Sequence, residues 1–238
     1  MMSQKFIVDE SFWEIFPDVK IAFLTAHDVK NQDNGQVPAD LLTTANQVAA
    51  TRWVPNDPIS KNTVIQDWRE AFQQFKTKKG ARCAVENLLK RAKNGKGVGN
   101  INPVVDIYNS VSLEWAFPVA AEDMDQVEGD IHLTVAQGGE PFRPIGEDEV
   151  EEALPGEVIY QDAHDVVSRC WAWRDSSRVE ATEETKNLLF YMENVNPERQ
   201  ADHLAATQAL QQRLKDYLGL ETTYTLVTKD HPVVTFKN

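Results

Sequence analysis

The chain has 238 residues, 42% of them hydrophobic, and a formal net charge of −13 at pH 7. That length allows one large domain or two small ones, and so acidic a balance argues against a general nucleic-acid binder, because phosphate contacts need positive charge. No apolar run approaches a membrane span and no basic region precedes an apolar core at the N-terminus, so the chain reads as soluble, unexported and cytoplasmic, with Cys83 and Cys170 reduced.

In chain order, residues 5–9 and 19–25 read as short strands around a small helix at 10–16. Residues 28–36 form a polar loop that turns at Asn34-Gly35, and 38–51 read as a helix. Val64, Trp68, Ala71, Phe72 and Phe75 give 62–76 a helical stripe, and 80–93 form a further helix. Gly95, Gly97 and Gly99 then interrupt it. This is no phosphate-cradling loop, because it follows a helix rather than a strand. At the next helix Asn102 is a good N-cap and Pro103 suits the first position. Its apolar stripe is Val104, Tyr108, Val111 and Trp115, with Asp106, Asn109 and Ser110 on the opposite, polar face.

The pattern then turns to strands. Residues 130–136 alternate, Gly138-Gly139 reads as a hairpin turn, and 158–160 and 166–174 read as strands. On the last, Trp171 and Trp173 fall on one face and Cys170, Ala172 and Arg174 on the other. Residues 182–185 begin a helix or turn, and 187–195 are apolar enough for the core. Residues 197–218 form an amphipathic helix with Leu204, Leu210 and Leu214 on its apolar side and Gly219 as its stop. Strands at 222–227 and 233–236 close the chain. A strand-rich middle between helical segments is an α+β pattern.

Chemistry-bearing motifs are few. There is no nucleophile elbow, Walker loop, His-Glu-x-x-His or Cys-x-x-Cys, and the five histidines have no metal-ligand spacing, so no metal or cofactor is expected. Cys170 with His132 or His164 could form a thiol hydrolase, or Cys170 could be a buried structural thiol. Trp171 and Trp173 suit stacking on a base or an aromatic amino acid, or a core face. Arg174 suits a carboxylate or phosphate. The acidic run at 147–152 reads as solvated surface. Residues 76–96 carry a local charge of +7, against −20 for the remainder. Lys90, Arg91 and Lys93 in that segment either direct an RNA to one face or merely solubilise a helix.

The run Asn102-Pro103-Val104-Val105-Asp106-Ile107-Tyr108-Asn109 resembles the Asn-Asn-Val-Val-Asp-x-Thr-Asn helix of the bacterial phenylalanyl-tRNA synthetase beta chain, in its tRNA-editing B3/B4 region. The likeness continues through Leu113-Glu114, Pro118, Asp123, Asp125 and Glu128-Gly129-Asp130-Ile131. It resumes at residues 177–185, which are similar to that family's Ser-x-Val-Thr-x-x-Thr stretch, and so covers roughly residues 80–195. The chain departs from the family at Tyr108, where the family has Thr, and at Ala120, where it has His. Residues 170–174 stand roughly where it has a Gly-Gly turn.

The resemblance implies a single B3/B4-like domain with a mostly antiparallel sheet core and flanking helices. It would comprise an N-terminal extension at 1–78, a core at 79–196 and a C-terminal helix and strands at 197–238, with no room for a separate synthetase catalytic domain. It implies binding of tRNA or aminoacyl-tRNA, with the small amino-acid moiety in a pocket, and hydrolysis of the ester in trans. Such an ester is already activated, so orientation of the ester and a water matters more than a strong nucleophile. In this reading Asn109 donates to the substrate carbonyl or binds the attacking water. Glu193 accepts from the substrate α-ammonium or acts as a weak base, and both share one cavity. Asp106, Ser110, Arg174, Trp171 and Trp173 are further substrate contacts, and Lys90, Arg91 and Lys93 contact RNA. Two alternatives are a non-catalytic RNA-binding or amino-acid-sensing module on the same scaffold, and the Cys170 hydrolase. The oligomeric state is left open.

Overall fold

A computed structural model describes residues 3–237, so the expected domain limits at 1 and 238 lie outside the described residues. Strands β1 (Gln4–Val8) and β2 (Lys20–Ala26) flank helix α1 (Glu10–Ile15). Helices α2 (Leu41–Val48), α3 (Thr63–Phe72), α4 (Ala84–Lys93) and α5 (Pro103–Trp115) follow. The strand-rich middle comprises β3 (Val119–Asp123), β4 (Ile131–Val135), β5 (Pro141–Phe142), β6 (Glu151–Glu152), β7 (Val158–Gln161), β8 (Val166–Arg169), β9 (Arg174–Asp175) and β10 (Leu188–Asn194). Helix α6 (Gln200–Leu218) and strands β11 (Thr222–Val227) and β12 (Val233–Lys237) complete the chain.

Three sheets result, ordered β12-β1-β4-β7-β8-β9, β11-β2-β10-β3 and β5-β6. The named strands pair antiparallel except β1 with β4, which is the mixed, mostly antiparallel α+β arrangement expected. The N-terminal segment is not an appendage: β1 and β2 are internal strands of the two large sheets.

Strand β10 shows why the sheets stack. All seven of its residues are buried, because both of its faces are covered. Leu188, Phe190 and Met192 meet Val104, Ile107 and Val111 of α5 and Ala206, Leu210 and Leu214 of α6. Leu189 and Tyr191 alternate to the other face and meet Phe6, Leu133 and Tyr160 of the six-stranded sheet. Aromatic rings fill that inner space: Phe6 stacks on Phe23 at 5.0 Å, and Tyr160 and Tyr191 lie 4.9 Å apart. Among the described residues no helix is long and apolar enough to cross a membrane.

The start of α5 follows the sequence reading. Asn102 Oδ1 accepts from the Val105 amide at 3.0 Å, and Pro103 occupies the first turn. The polar face assigned to α5 is corrected: Asp106, Asn109 and Ser110 are buried, because the helix is covered nearly all round. On α6, Leu204 is exposed, and His203, Ala206 and Thr207 join Leu210 and Leu214 on the buried side. The strand expected over 166–174 is two short strands joined by a turn. Gly138-Gly139 leads into the β5–β6 ribbon rather than joining neighbouring strands.

Candidate functional site

Glu193 continues the Leu189–Tyr191 alternation of β10, which turns its carboxyl into the space between the two large sheets. There it borders a cavity of about 30 Å3. Strand β3 contributes Ala120 and Glu122, and Glu122 pairs opposite Leu189 and so shares the inner face. Tyr160, Ser168, Trp171, Trp173 and Asp175 close the cavity from the six-stranded side, and Ala84 at the start of α4 borders it too. Ala84, Val119, Ala120, Ala172, Trp173 and Asp175 are partly exposed and form its mouth.

Three carboxyls line this space and no Lys, Arg or His does. The Tyr160 hydroxyl donates to Glu193 Oε1 at 2.5 Å. Burial pushes the Glu193 carboxyl up to about 7, opposed by that bond. Burial also raises Asp175, and raises Glu122 well above the ordinary carboxylate range, with Asp175 adding to the effect. Both Glu122 oxygens, the Tyr191 hydroxyl and the Trp171 indole N–H are sealed and without a protein partner. The indole lies close enough to Glu193 to favour its charged form yet completes no hydrogen bond. Arg178, the cation that eases Glu122, is committed to Asp162 at 2.8 Å and Asp165 at 2.6 Å.

Residues 170–173 build one wall. Cys170 and Trp171 have φ of +47° and +60°, a left-handed backbone that glycine adopts freely and other residues adopt at about 1–2 kcal/mol each. Ser168 Oγ holds the turn by donating to the Trp171 and Arg174 carbonyls at 2.8 and 3.1 Å. Trp171 is sealed edge-on against Phe12 and Trp68 at 5.1 and 5.2 Å, whereas Trp173 reaches the surface. The two rings therefore do not share a strand face, although both border the cavity.

Other expected site residues lie elsewhere. Asn109 is buried on α5 and forms no part of the cavity lining, so the structure does not bring it together with Glu193. The cause is the packing of α5: Val104, Ile107 and Val111 set it against the outer face of the four-stranded sheet, while Glu193 projects from the inner one. Asp106 accepts from the Ile101 amide at 2.8 Å and from Asn100 at 2.7 Å, and so fixes its own helix start. Ser110 is held between Ile107 O and Arg213, both at 2.6 Å. Arg174 pairs with Glu147 at 2.6 Å and lies 5.5 Å over the Trp173 ring.

Lys90 and Arg91 are exposed in the last turn of α4, whereas Lys93 donates to Val54 O at 2.9 Å and pairs with Asp57 at 3.2 Å. Helix α4 begins at the cavity with Ala84, so Lys90 to Lys93 lie about 9–14 Å along its axis. The thiol-hydrolase alternative is overturned. Cys170 is sealed, its Sγ donates to Glu157 Oε1 at 2.9 Å, and burial pushes the thiol up. His132 pairs with Asp9 and His164 with Asp165 instead. Among the described residues no three His, Cys, Asp or Glu side chains are grouped to hold a metal ion.

Sequence reasoning missed Glu122, Tyr160 and Ser168. The resemblance did flag Ala120: the position where that family has His borders the cavity.

Comparisons agree with the fold. Residues 67–219 match the family model described as the B3/4 domain. The phenylalanine–tRNA ligase beta subunit of Corynebacterium jeikeium is 33% identical over 91 residues, 38% of this chain and 10% of that protein. The same subunit of Methylococcus capsulatus is 31% identical over 70 residues, 29% of this chain and 9% of that one. The chain thus spans about a tenth of the length of these curated relatives. The crystal structure of an N-terminal fragment of the phenylalanyl-tRNA synthetase beta subunit from Pyrococcus horikoshii superposes with a TM-score of 0.50 at 11% identity. It covers 93% of this chain and 53% of that one, a likeness of fold. With the family model covering well over half its length, the chain belongs to the B3/4 domain family.

Proposed function

We propose that this protein binds the aminoacylated end of a tRNA, or a related amino-acid ester, in the cytoplasm and hydrolyses the ester in trans. The observation that carries the reading is Glu193: a sealed carboxyl with its pKa lifted to about 7, fixed by Tyr160 and bordering a water-sized cavity. A group that titrates near neutrality is suited to take a proton from water. The water oxygen bonds to the ester carbonyl carbon, and Glu193 holds the proton. The ester C–O bond then breaks and the proton passes to the departing hydroxyl. The products are a free amino acid and a free 3′ hydroxyl.

The cavity admits a water or a compact head group, so the ester itself would lie at the mouth beside Ala120, Ala172 and Trp173. Asn109 has no part in this reading, because it does not border the cavity.

The test is deacylation of a panel of mischarged tRNAs. Turnover that falls at least about 100-fold in Glu193→Gln supports the proposal. Absence of turnover across the panel, or an unaffected variant, overturns it. The exposed Lys90 and Arg91 favour the second reading, a non-catalytic RNA-binding module. That reading expects salt-sensitive RNA affinity without turnover.

A further inference from the structure

Glu122 is the feature that ester hydrolysis by Glu193 leaves unexplained. It is fully buried on β3, both carboxyl oxygens lack a partner, and it borders the cavity. An ionised carboxylate in that state costs several kcal/mol, and the protein spends no donor on it. Its neighbour Asp123, turned to the other side of the same strand, accepts from Thr185 at 2.8 Å and from the Asp125 amide at 3.0 Å. The strand's surroundings are therefore not short of donors; none is directed at Glu122.

The Tyr191 hydroxyl stands in the same lining without a partner. Leu189, which pairs with Glu122, is four residues from Glu193, so the two acidic residues are about 13 Å apart at the backbone, with Tyr191 between them. Glu122 thus has its own end of the space, apart from the Tyr160–Glu193 pair.

We infer that Glu122 is the recognition carboxyl for a primary ammonium group of the ligand, received in the cavity with Tyr191 as a second oxygen partner. The chemistry follows from the lining. The lining offers a cation three carboxyls and an anion no cationic side chain, and an ammonium beside Glu122 would supply the opposite charge that favours its ionised form. The cavity is small, about 30 Å3, which suits a compact head such as an ammonium. An ammonium offers three donors, and Glu122 Oε1, Glu122 Oε2 and Tyr191 Oη are three unpartnered oxygens. The ammonium has two possible sources, the α-amine of an amino acid or a side-chain amine. This inference rests on the proposed function only in placing an amino-acid ligand here.

Calorimetry with three uncharged-carboxyl probes separates the outcomes: norleucinamide carries only an α-amine, Nα-acetyl-lysinamide only a side-chain amine, and Nα-acetyl-norleucinamide neither. The expected result is at least tenfold tighter binding of one amine-bearing probe over the amine-free one, with that preference lost in Glu122→Gln. Which probe wins names the source. Equal binding of all three, no binding of any, or a preference that survives in Glu122→Gln overturns the inference. Thermal shift of the wild-type protein with the same probes gives a readout independent of the variant's folding; a shift common to all three would also count against it. Amine-selective binding without deacylation of any tRNA would remove the hydrolase reading and leave this one standing.

Discussion

The start of α5 and the space between the sheets both bury polar side chains, and they treat them in opposite ways. Asn102 accepts from Val105 and from Asn31 and donates to Ala181. Asn31 in turn accepts from Val104 and donates to Thr182, all within 3.0 Å. Every amide there has work inside the protein. Between the sheets, Glu122, Tyr191 and Trp171 have none. A saturated polar cluster fixes a helix to its neighbours; an unsaturated one bordering a cavity is shaped for something the chain does not contain.

Substitution should therefore give opposite signs in the two places. Asn31→Ala leaves the Val104 amide and the Thr182 carbonyl unsatisfied and should cost about 4 kcal/mol, read from urea unfolding. A loss under about 1 kcal/mol would dissolve the contrast. Glu193→Gln should stabilise instead. Its carboxyl has an ordinary value of 4.5 and titrates at about 7 when folded, so the folded chain holds the extra proton between those values. Stability from this group is therefore lost as pH rises from 4.5 to 7, and the variant recovers up to about 3 kcal/mol at pH 8 and nothing at pH 4. A gain independent of pH would show that packing rather than ionisation is involved.

Two smaller effects sharpen the comparison. Asp106→Ala should cost about 1–2 kcal/mol through the lost Ile101 amide bond, without changing deacylation. A loss of turnover at unchanged stability would return Asp106 to the site. Lys90→Ala with Arg91→Ala should shift stability by less than about 0.5 kcal/mol while lowering the salt dependence of RNA binding by about two phosphate contacts. An unchanged salt slope would remove the α4 end from any RNA path.

Much of the scaffold was legible because it is locally encoded. The Asn102 cap, the Gly219 stop with φ of +66° and the apolar run of β10 all carry their signal within a few residues. The site was legible only in part, at Trp171, Trp173 and Glu193 and at Ala120 through the resemblance. Glu122 sits in a strand reading Val-Ala-Ala-Glu-Asp, and nothing in that run says which acid faces the cavity; that depends on pairing with a strand nearly seventy residues later. The turn at 170–173 was hidden for another reason. Two left-handed residues normally announce themselves as glycine, and here Cys170 and Trp171 hold the shape under cover of an alternating strand pattern. Asn109 was misplaced because helical spacing separates faces without saying which of them a sheet will cover.

The position of β2 has a consequence for how the chain is made. It is flanked by β10 and β11, whose residues are translated more than 150 positions later. A strand carrying Ile21, Phe23 and Leu24 thus leaves the ribosome long before either neighbour exists, and both of its edges wait unpaired through most of synthesis. The four-stranded sheet is not complete until β11 has emerged, nor the six-stranded sheet until β12 has, and the cavity between them waits for Glu193 on β10, so it is among the last parts to form.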